Sequence, residues 1–229
     1  MANYPLVETF EVVFSNQCNL SCKYCFVNQT PQIMTLDNLK KTIQFIENYP
    51  NKKTPDEGFK IHLFGGECLL NKDLVKYFIE NISPSYPVIV FTNVTTLDDD
   101  FLHFAYNHKN VSFNFSLDGC RDAHNAARVN KSSQGTYDIV VEKLNRYAEI
   151  FRIPHEKVYV KAVLSKYNIQ YLKETIRQMA GLKYSFSFTL DRENHWTKEE
   201  LEFFLTQFQE AADVYVELFD ELPPTDLFV

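Results

Sequence analysis

The sequence predicts an α/β fold in which a parallel sheet is surrounded by helices. Short runs rich in β-branched and aromatic residues alternate six times with segments whose apolar residues recur at helical spacing. The 229 residues are also enough to bury one large core. Six β-then-α units imply right-handed crossovers and a sheet that is curled or closed, with the helices outside.

The predicted strands and helices follow one another along the whole chain. Strands are predicted over residues 9–14, 59–64, 87–92, 111–117, 158–164 and 184–190. Helices are predicted over residues 35–48, 74–82, 97–108, 136–151, 169–179 and 197–218. Thr35 is the expected N-cap of the first helix, and Thr197 and Glu200 form a capping box at the last one. In the helix over 136–151, Ile139, Val140, Leu144 and Tyr147 are expected on one buried face.

The strands over 111–117 and 184–190 each place their apolar side chains on one face and their polar side chains on the other. Helices between the strands favour parallel pairing over an antiparallel sheet with one solvated face, so the apolar face must meet the helices. A sealed barrel would be filled by bulky apolar side chains. The opposite face therefore predicts a wet interior or a polar ligand, and it carries Ser112, Asn114, Ser116, Asp118, Ser185, Ser187, Thr189 and Asp191.

Composition argues against several classes of partner. The net charge of −7, without a basic block, argues against nucleic acid. No apolar run approaches the length that spans a bilayer, and the N-terminus does not resemble a signal peptide, so a cytoplasmic protein without a membrane partner is expected. Five cysteines, three of them clustered, fit reduced thiols better than a disulfide framework.

Cys18, Cys22 and Cys25 lie within eight residues, directly after the first predicted strand. Three thiolates on one loop indicate a metal centre, and a 4Fe–4S cluster held by three of them keeps one iron open for chemistry. Structural zinc normally takes four protein ligands, and the fourth would have to be Cys68 or Cys120. The spacing favours an iron–sulfur cluster and leaves zinc, a disulfide or redox sensing as alternatives.

A second motif, Gly65-Gly66-Glu67, follows the second predicted strand. Parallel α/β proteins bind ligands at this end of their strands. Glycine lets the backbone approach a ligand closely, and the Glu67 carboxylate can accept from an ammonium group.

Together these motifs resemble those of the radical S-adenosylmethionine enzymes. The resemblance is carried by the Cys-x3-Cys-x2-Cys loop with Tyr24 before its last cysteine, by residues 64–67, 91–93 and 116–119, and by His124 and Arg128. It extends in order over residues 9–190. The chain is most similar to the peptide- and protein-modifying branch that usually carries a C-terminal SPASM or twitch extension, such as sactipeptide-type maturases and anaerobic sulfatase-maturating enzymes.

The resemblance implies a partial (β/α)6 TIM-like barrel over residues 1–192, followed by a C-terminal helix and tail over 193–229. It implies that Cys18, Cys22 and Cys25 hold a 4Fe–4S cluster whose open iron binds S-adenosylmethionine. The implied contacts of that cofactor are Gly65, Gly66 and Glu67 for the amino group, Ser116 and Arg128 for the carboxylate, and Tyr24 for the adenine. An electron from an external donor would then release a 5′-deoxyadenosyl radical that abstracts hydrogen from a peptide or protein substrate. No catalytic side chain is identified.

Two features depart from that branch. Cys68 stands where proline commonly follows Gly-Gly-Glu, and Cys120 occupies a similar place after Gly119; both are expected to be incidental small residues, with contact to substrate or a cluster as the alternative. No cysteine follows Cys120, so the auxiliary clusters of a SPASM extension are absent from these residues. The chain is therefore expected to be the N-terminal part of a longer enzyme, or a short form completed by another subunit.

Other functions remain open from the sequence. A small-molecule radical enzyme or an activase that makes a glycyl radical on a partner would use the same motifs. A cluster-binding sensor or scaffold would use the cysteines without radical chemistry. His62 and Lys161 are expected to be hydrogen-bonded side chains on the inner face of the strands. His195 and Trp196 are expected to form either a substrate wall or a contact at the start of the last helix.

Overall fold

A computed structural model describes residues 5–219, which form six strands, seven α-helices and several short 3₁₀ turns. The strands are β1 (Thr9–Val13), β2 (Lys60–Phe64), β3 (Val88–Thr92), β4 (Val111–Ser116), β5 (Tyr159–Leu164) and β6 (Ser185–Leu190). The helices are α1 (Leu36–Asn48), α2 (Lys72–Asn81), α3 (Asp99–Tyr106), α4 (Arg121–Ala127), α5 (Tyr137–Phe151), α6 (Leu172–Leu182) and α7 (Lys198–Glu217).

The six strands form one sheet in which the spatial order is the chain order. The pairings of β1 with β2, β2 with β3, β4 with β5 and β5 with β6 are all parallel. Each of these strands returns to its neighbour through at least one helix, as a parallel connection requires. The predicted α/β fold is confirmed, and the antiparallel alternative is wrong.

By contact clustering, the first of two compact units comprises the residues up to Cys18 together with Val27–Thr92 and Thr96–Asn114. Helix α1 begins after Thr35, whose side chain accepts a hydrogen bond from Asn38 N at 3.2 Å, so the predicted N-cap is confirmed. Leu39, Ile43 and Ile46 form its buried face. Leu36, one turn before Leu39, is exposed.

The second unit comprises Asn19–Phe26, Asn93–Thr95 and the chain from Phe115 onward. Val140, Leu144 and Tyr147 of α5 are buried, and Tyr147 packs against Phe115 of β4 with ring centroids 4.8 Å apart. Ile139 is 46% exposed, so its predicted place on the buried face is wrong. One residue turns a helix by about 100°, which carries Ile139 from the face of Val140 towards solvent.

Helix α7 begins with the predicted capping box between Thr197 and Glu200. Trp196 packs against Phe204 of this helix with ring centroids 5.7 Å apart, and its indole N–H donates to Asp191 O at 2.9 Å. Trp196 thus makes the contact expected at the start of the last helix. Helix α7 also approaches α6, where the ion pair between Lys173 and Glu210 spans 3.7 Å.

The polar and apolar faces of β4 and β6 agree with the alternation in the sequence. Val111, Phe113 and Phe115 of β4 are buried, while Ser112 is exposed and Asn114 and Ser116 are half-buried. In β6, Phe186 and Phe188 are buried against the helices, and Ser187 on the opposite face is also fully buried. The polar face is therefore partly covered.

The boundary predicted after residue 192 stays a prediction, and α7 belongs to the second compact unit. Residues 220–229 of the predicted C-terminal tail lie outside the described residues. Within residues 5–219, no helix combines the length and the apolar character that a membrane crossing requires.

Replacing two glycines by alanine should change stability in opposite directions. Gly181 lies in α6 with open space where a Cβ atom would stand, so Gly181→Ala should raise the free energy of unfolding by about 0.5–1 kcal/mol. Gly119 has a φ of +107°, and its Cβ would lie 2.3 Å from Thr175 Oγ1. Gly119→Ala should therefore lower that free energy by about 1–3 kcal/mol. Urea unfolding measures the free energy of unfolding of both variants. Changes of the same sign would contradict either the open space at Gly181 or the close contact between Gly119 and Thr175.

Candidate functional site

The cysteine loop is held by backbone hydrogen bonds to the segment that follows α4. Ser21 N donates to Val129 O at 2.8 Å, and Lys23 N donates to Ala127 O at 2.9 Å. A further backbone bridge joins Leu20 to Asn130. The backbone conformation of the loop is therefore fixed without any bond to its sulfur atoms.

The three cysteines of the loop are thiols with partial or full access to solvent. Cys18 and Cys22 are half-buried and Cys25 is exposed. Between the last two, Cys25 N donates to Cys22 O at 3.1 Å, which closes a tight turn. Partly exposed thiols at a turn suit metal binding, since the ligand must lose its proton and reach the metal.

No group of three His, Cys, Asp or Glu side chains within residues 5–219 is arranged to hold a single metal ion. A 4Fe–4S cluster places a different demand on its ligands, because each thiolate binds a different iron atom. Three thiols on one backbone-anchored loop are the donor set that such a cluster uses. The residues present therefore fit the cluster.

Tyr24, inside the cysteine loop, points away from solvent towards two charged residues. Its hydroxyl donates a short hydrogen bond to Asp118 Oδ2. Arg128 Nε lies 3.1 Å from the same oxygen, and the guanidinium carbon lies 5.3 Å from the centroid of the Tyr24 ring. The sequence places Tyr24 beside the adenine and Arg128 beside a carboxylate, whereas the structure gives both a protein partner in Asp118.

Burial and charge set the ionisation of this group. Burial raises the pKa of Tyr24 well above its ordinary value, so the phenol stays protonated and can donate. Burial alone would lower the pKa of Arg128, but the neighbouring Asp118 carboxylate raises it above its ordinary value. Arg128 is thus a permanent cation.

Asp118 also connects β4 to β5 and to α4. Its Oδ1 accepts from Val163 N at 3.0 Å, and its backbone N–H donates to His124 Nδ1 at 3.3 Å. The other ring nitrogen, Nε2, lies 3.0 Å from Thr136 Oγ1, whose hydroxyl donates to Arg128 O at 3.3 Å. Since Nδ1 accepts, the network assigns the imidazole proton to Nε2.

Helix α4, which carries His124, is absent from the sequence prediction. It has only seven residues, and its inward side chains are Ala123, His124 and Ala127. None of these is a large apolar residue, so the 3.6-residue periodicity gives no signal. The spacing of its alanines was the only available cue.

The Gly65-Gly66-Glu67 turn fits against the chain that leads from β1 into the cysteine loop. Gly66 N donates to Ser15 O and Glu67 N donates to Gln17 O, both at 2.8 Å. A Cβ atom on Gly65 would lie 2.4 Å from Ser15 O, and one on Gly66 would lie 2.3 Å from Gln17 O. Both glycines are therefore required by this backbone contact, whatever ligand they also meet.

Glu67 is buried, and its Oε1 accepts from Leu69 N at 3.1 Å and from Thr92 Oγ1 at 2.8 Å. The carboxylate is thereby fixed at the carboxyl ends of β2 and β3. Its predicted role towards an ammonium group stays a prediction.

Ser116 begins a row of polar residues across three strands. It is in register with Lys161 of β5, which is in register with Ser187 of β6. Lys161 is half-buried, as expected for a side chain on the polar face. Within the described residues, the fully buried Ser187 hydroxyl has no hydrogen-bond partner. The alternation predicted this face, but the burial of Ser187 was not foreseen.

The remaining cysteines are buried. Cys68 Sγ lies 3.2 Å from Phe91 O, and burial raises the pKa of its thiol well above the ordinary value. Cys120 is 4% exposed. Low exposure agrees with the prediction that both are small packing residues.

His62 is also largely buried, with its ring 4.8 Å from that of Phe91.

Comparison with models of known protein families shows the family to which the chain belongs. The model of the Radical SAM superfamily matches residues 12–179, which is well over half of the sequence. The chain belongs to the Radical SAM superfamily. Proteins of this superfamily bind a 4Fe–4S cluster and S-adenosylmethionine.

Two curated relatives match parts of the chain. The uncharacterized protein MJ0907 of Methanocaldococcus jannaschii is 25% identical over 185 residues, which are 77% of this chain and 60% of that protein. The radical SAM cyclopropyl synthase TigE of Paramaledivibacter caminithermalis is 31% identical over 91 residues, which are 33% of this chain and 19% of TigE.

Solved structures with a similar fold include two peptide complexes. anSMEcpe with bound AdoMet and Cp18Cys peptide has a TM-score of 0.67 and 18% identity, covering 97% of this chain and 63% of that one. Streptococcus suis SuiB bound to precursor peptide SuiA has a TM-score of 0.69 and 14% identity, covering 96% of this chain and 49% of that one. These matches confirm the predicted partial (β/α)6 barrel fold. The chain spans less than two thirds of the length of each of these four proteins.

The buried His124 should make stability depend on pH. Burial lowers the pKa of His124 well below its ordinary value, so as pH falls below about 6.5 the unfolded chain takes up the proton first. Stability present above that pH is then lost, by up to about 1.4 kcal/mol per pH unit. Urea unfolding between about pH 7.5 and 5.5 should show this loss. The loss should be reduced in His124→Gln and retained in the control His103→Gln, because His103 is exposed. Equal pH slopes in the wild type and His124→Gln would contradict the assignment.

Proposed function

We propose that this protein is a radical S-adenosylmethionine enzyme that modifies a peptide or protein substrate. The observation that carries the proposal is the Cys18-x3-Cys22-x2-Cys25 loop, which follows β1 and is anchored by its backbone. Cys18, Cys22 and Cys25 would hold the cluster, which would pass one electron from an external donor to S-adenosylmethionine, so that its C–S bond would break into methionine and a 5′-deoxyadenosyl radical able to take hydrogen from the substrate.

Three thiols are assigned to the cluster, one from each of Cys18, Cys22 and Cys25. The amino group of S-adenosylmethionine is assigned to the Gly65-Gly66-Glu67 turn, where the buried Glu67 carboxylate favours a cation. The adenine is assigned to the neighbourhood of Tyr24.

Ser116 and Arg128 are proposed for the carboxylate of S-adenosylmethionine. Asp118 already neutralises much of the charge of Arg128 at 3.1 Å, and a carboxylate brought to Arg128 would also meet Asp118. Like charges at short distance repel strongly in a buried site. Ser116 is therefore the better candidate for a direct contact with the carboxylate of S-adenosylmethionine. The positive charge of Arg128 would act on both that carboxylate and Asp118.

The peptide substrate is supported by two features. Ser116 and Lys161, the half-buried members of the polar row, offer hydrogen-bond donors on the face away from the helices. The structures of anSMEcpe and SuiB with similar folds were both obtained with a peptide bound. The polar row favours a polar substrate, and the comparison favours a peptide among polar substrates.

Removing one cysteine of the loop should abolish cofactor cleavage. After anaerobic reconstitution, the wild type with dithionite and S-adenosylmethionine should form 5′-deoxyadenosine, and Cys22→Ala should form only background amounts, because its iron loses a thiolate. Cys68→Ala is the matched control, since it removes a buried thiol from packing and should keep activity. Liquid chromatography measures the product. Activity of Cys22→Ala equal to that of the control would exclude the proposal.

The substrate class can be tested without knowing the substrate. A cell extract that contains a peptide or protein substrate should raise 5′-deoxyadenosine formation above the rate without extract, because hydrogen transfer to the substrate draws the reaction forward. Pre-digestion of the extract with proteinase K, followed by removal of the protease, should abolish this stimulation. Stimulation that survives digestion would indicate a small-molecule substrate instead, and Cys22→Ala supplies the blank.

A further inference from the structure

Within the cysteine loop, Tyr24 is buried while the residues on either side of it are exposed. Lys23 and Cys25 face solvent, whereas Tyr24 is 8% exposed. Tyr24 lies in the sequence between Cys22 and Cys25, the last two thiols of the triplet. Whatever fixes its side chain therefore fixes the backbone that carries both thiols.

Tyr24 is hydrogen-bonded to the buried carboxylate of Asp118, and breaking this bond would be costly. Asp118 has no exposed side-chain surface and takes hydrogen bonds from the Tyr24 hydroxyl and from Val163 N, beside the ion pair with Arg128. Charged acceptors form the stronger hydrogen bonds, and a buried charge that loses a partner is costly. Movement of Tyr24 away from Asp118 would leave the carboxylate short of a donor.

Arg128 is fixed independently of the cysteine loop. Its N–H donates to His124 O at 2.7 Å at the end of α4, and its carbonyl accepts from Thr136. The carbonyls on either side of it, those of Ala127 and Val129, receive the N–H groups of Lys23 and Ser21. One short segment thus holds the loop through its backbone and also contributes the cation of the side-chain group.

We propose that Tyr24, Asp118 and Arg128 form a loop clamp that sets the positions of Cys22 and Cys25 before the cluster binds. This inference rests on the proposed function, because it takes these cysteines as cluster ligands. The three residues of the loop clamp are positioning residues. A preorganised loop loses less conformational freedom when the cluster binds, so the loop clamp slows loss of the cluster.

Tyr24→Phe tests the loop clamp, because it removes the hydroxyl and keeps the ring. Tyr184→Phe is the matched control: Tyr184 is fully buried and its hydroxyl donates to Asn145 Oδ1 at 2.6 Å, away from the cysteine loop. Each variant loses one tyrosine hydroxyl hydrogen bond, and the apo form of Tyr24→Phe should lose more thermal stability because its acceptor is a buried carboxylate. Iron release from the reconstituted protein to bathophenanthroline, followed anaerobically, should be about tenfold faster in Tyr24→Phe and unchanged in Tyr184→Phe.

A second variant keeps the test decisive if Tyr24→Phe loses stability. Asp118→Asn retains an oxygen for Val163 N and removes the charge, so it should also speed iron release. The double variant should release iron no faster than Asp118→Asn alone, because both changes remove the same bond. The electron paramagnetic resonance signal of the reduced cluster should broaden in both single variants and stay sharp in Tyr184→Phe.

The outcomes separate the loop clamp from the proposed function. A wild type that holds iron in reconstitution, with iron release from Tyr24→Phe as slow as from Tyr184→Phe, would overturn the loop clamp alone. A wild type that holds no more iron than Cys22→Ala would overturn the cluster assignment and the loop clamp together. Faster release and a broadened signal confined to Tyr24→Phe and Asp118→Asn would support the loop clamp.

Discussion

The carboxylate of Asp118 has no exposed side-chain surface, and three segments of the second unit are arranged around it. A buried charge without partners costs several kcal/mol, so the fold must bring donors to it. The donors come from the cysteine loop and from β5, through Tyr24 and Val163, and the ion pair with Arg128 at the end of α4 supplies the opposite charge. Because these three partners lie on different segments, satisfying one side chain holds three segments together.

The first unit depends on a constraint of another kind, which is steric. Gly65 and Gly66 let the end of β2 approach the carbonyls of Ser15 and Gln17 so closely that no Cβ atom fits. The residues immediately before Cys18 are thus held by β2. The glycine motif is therefore joined by backbone contact to Ser15 and Gln17, the residues that lead into Cys18.

The sequence was sufficient for the strands, most helices and the polar face, since these depend on periodicity. It was insufficient for α4, whose alanines give no periodic signal, and for Ile139, whose exposure depends on how α5 is rotated about its axis. The motifs located Tyr24, Asp118 and Arg128 but not their contacts. Tyr24 and Asp118 are 94 residues apart, and no spacing rule shows that a hydroxyl and a carboxylate so far apart share a hydrogen bond. These contacts become visible only in the folded structure.

The row formed by Ser116, Lys161 and Ser187 bears on what this fold is built to hold. An unsatisfied buried hydroxyl such as that of Ser187 costs about 1–3 kcal/mol, which an alanine at the same position would avoid. The half-buried Lys161 beside it adds a further desolvation cost. A face of this composition destabilises a dry apolar core. Ser116 and Lys161 are half-buried and can still donate to water or to a polar molecule, whereas Ser187 is fully buried and cannot. The polar face therefore costs stability at β6 and keeps donors accessible at β4 and β5.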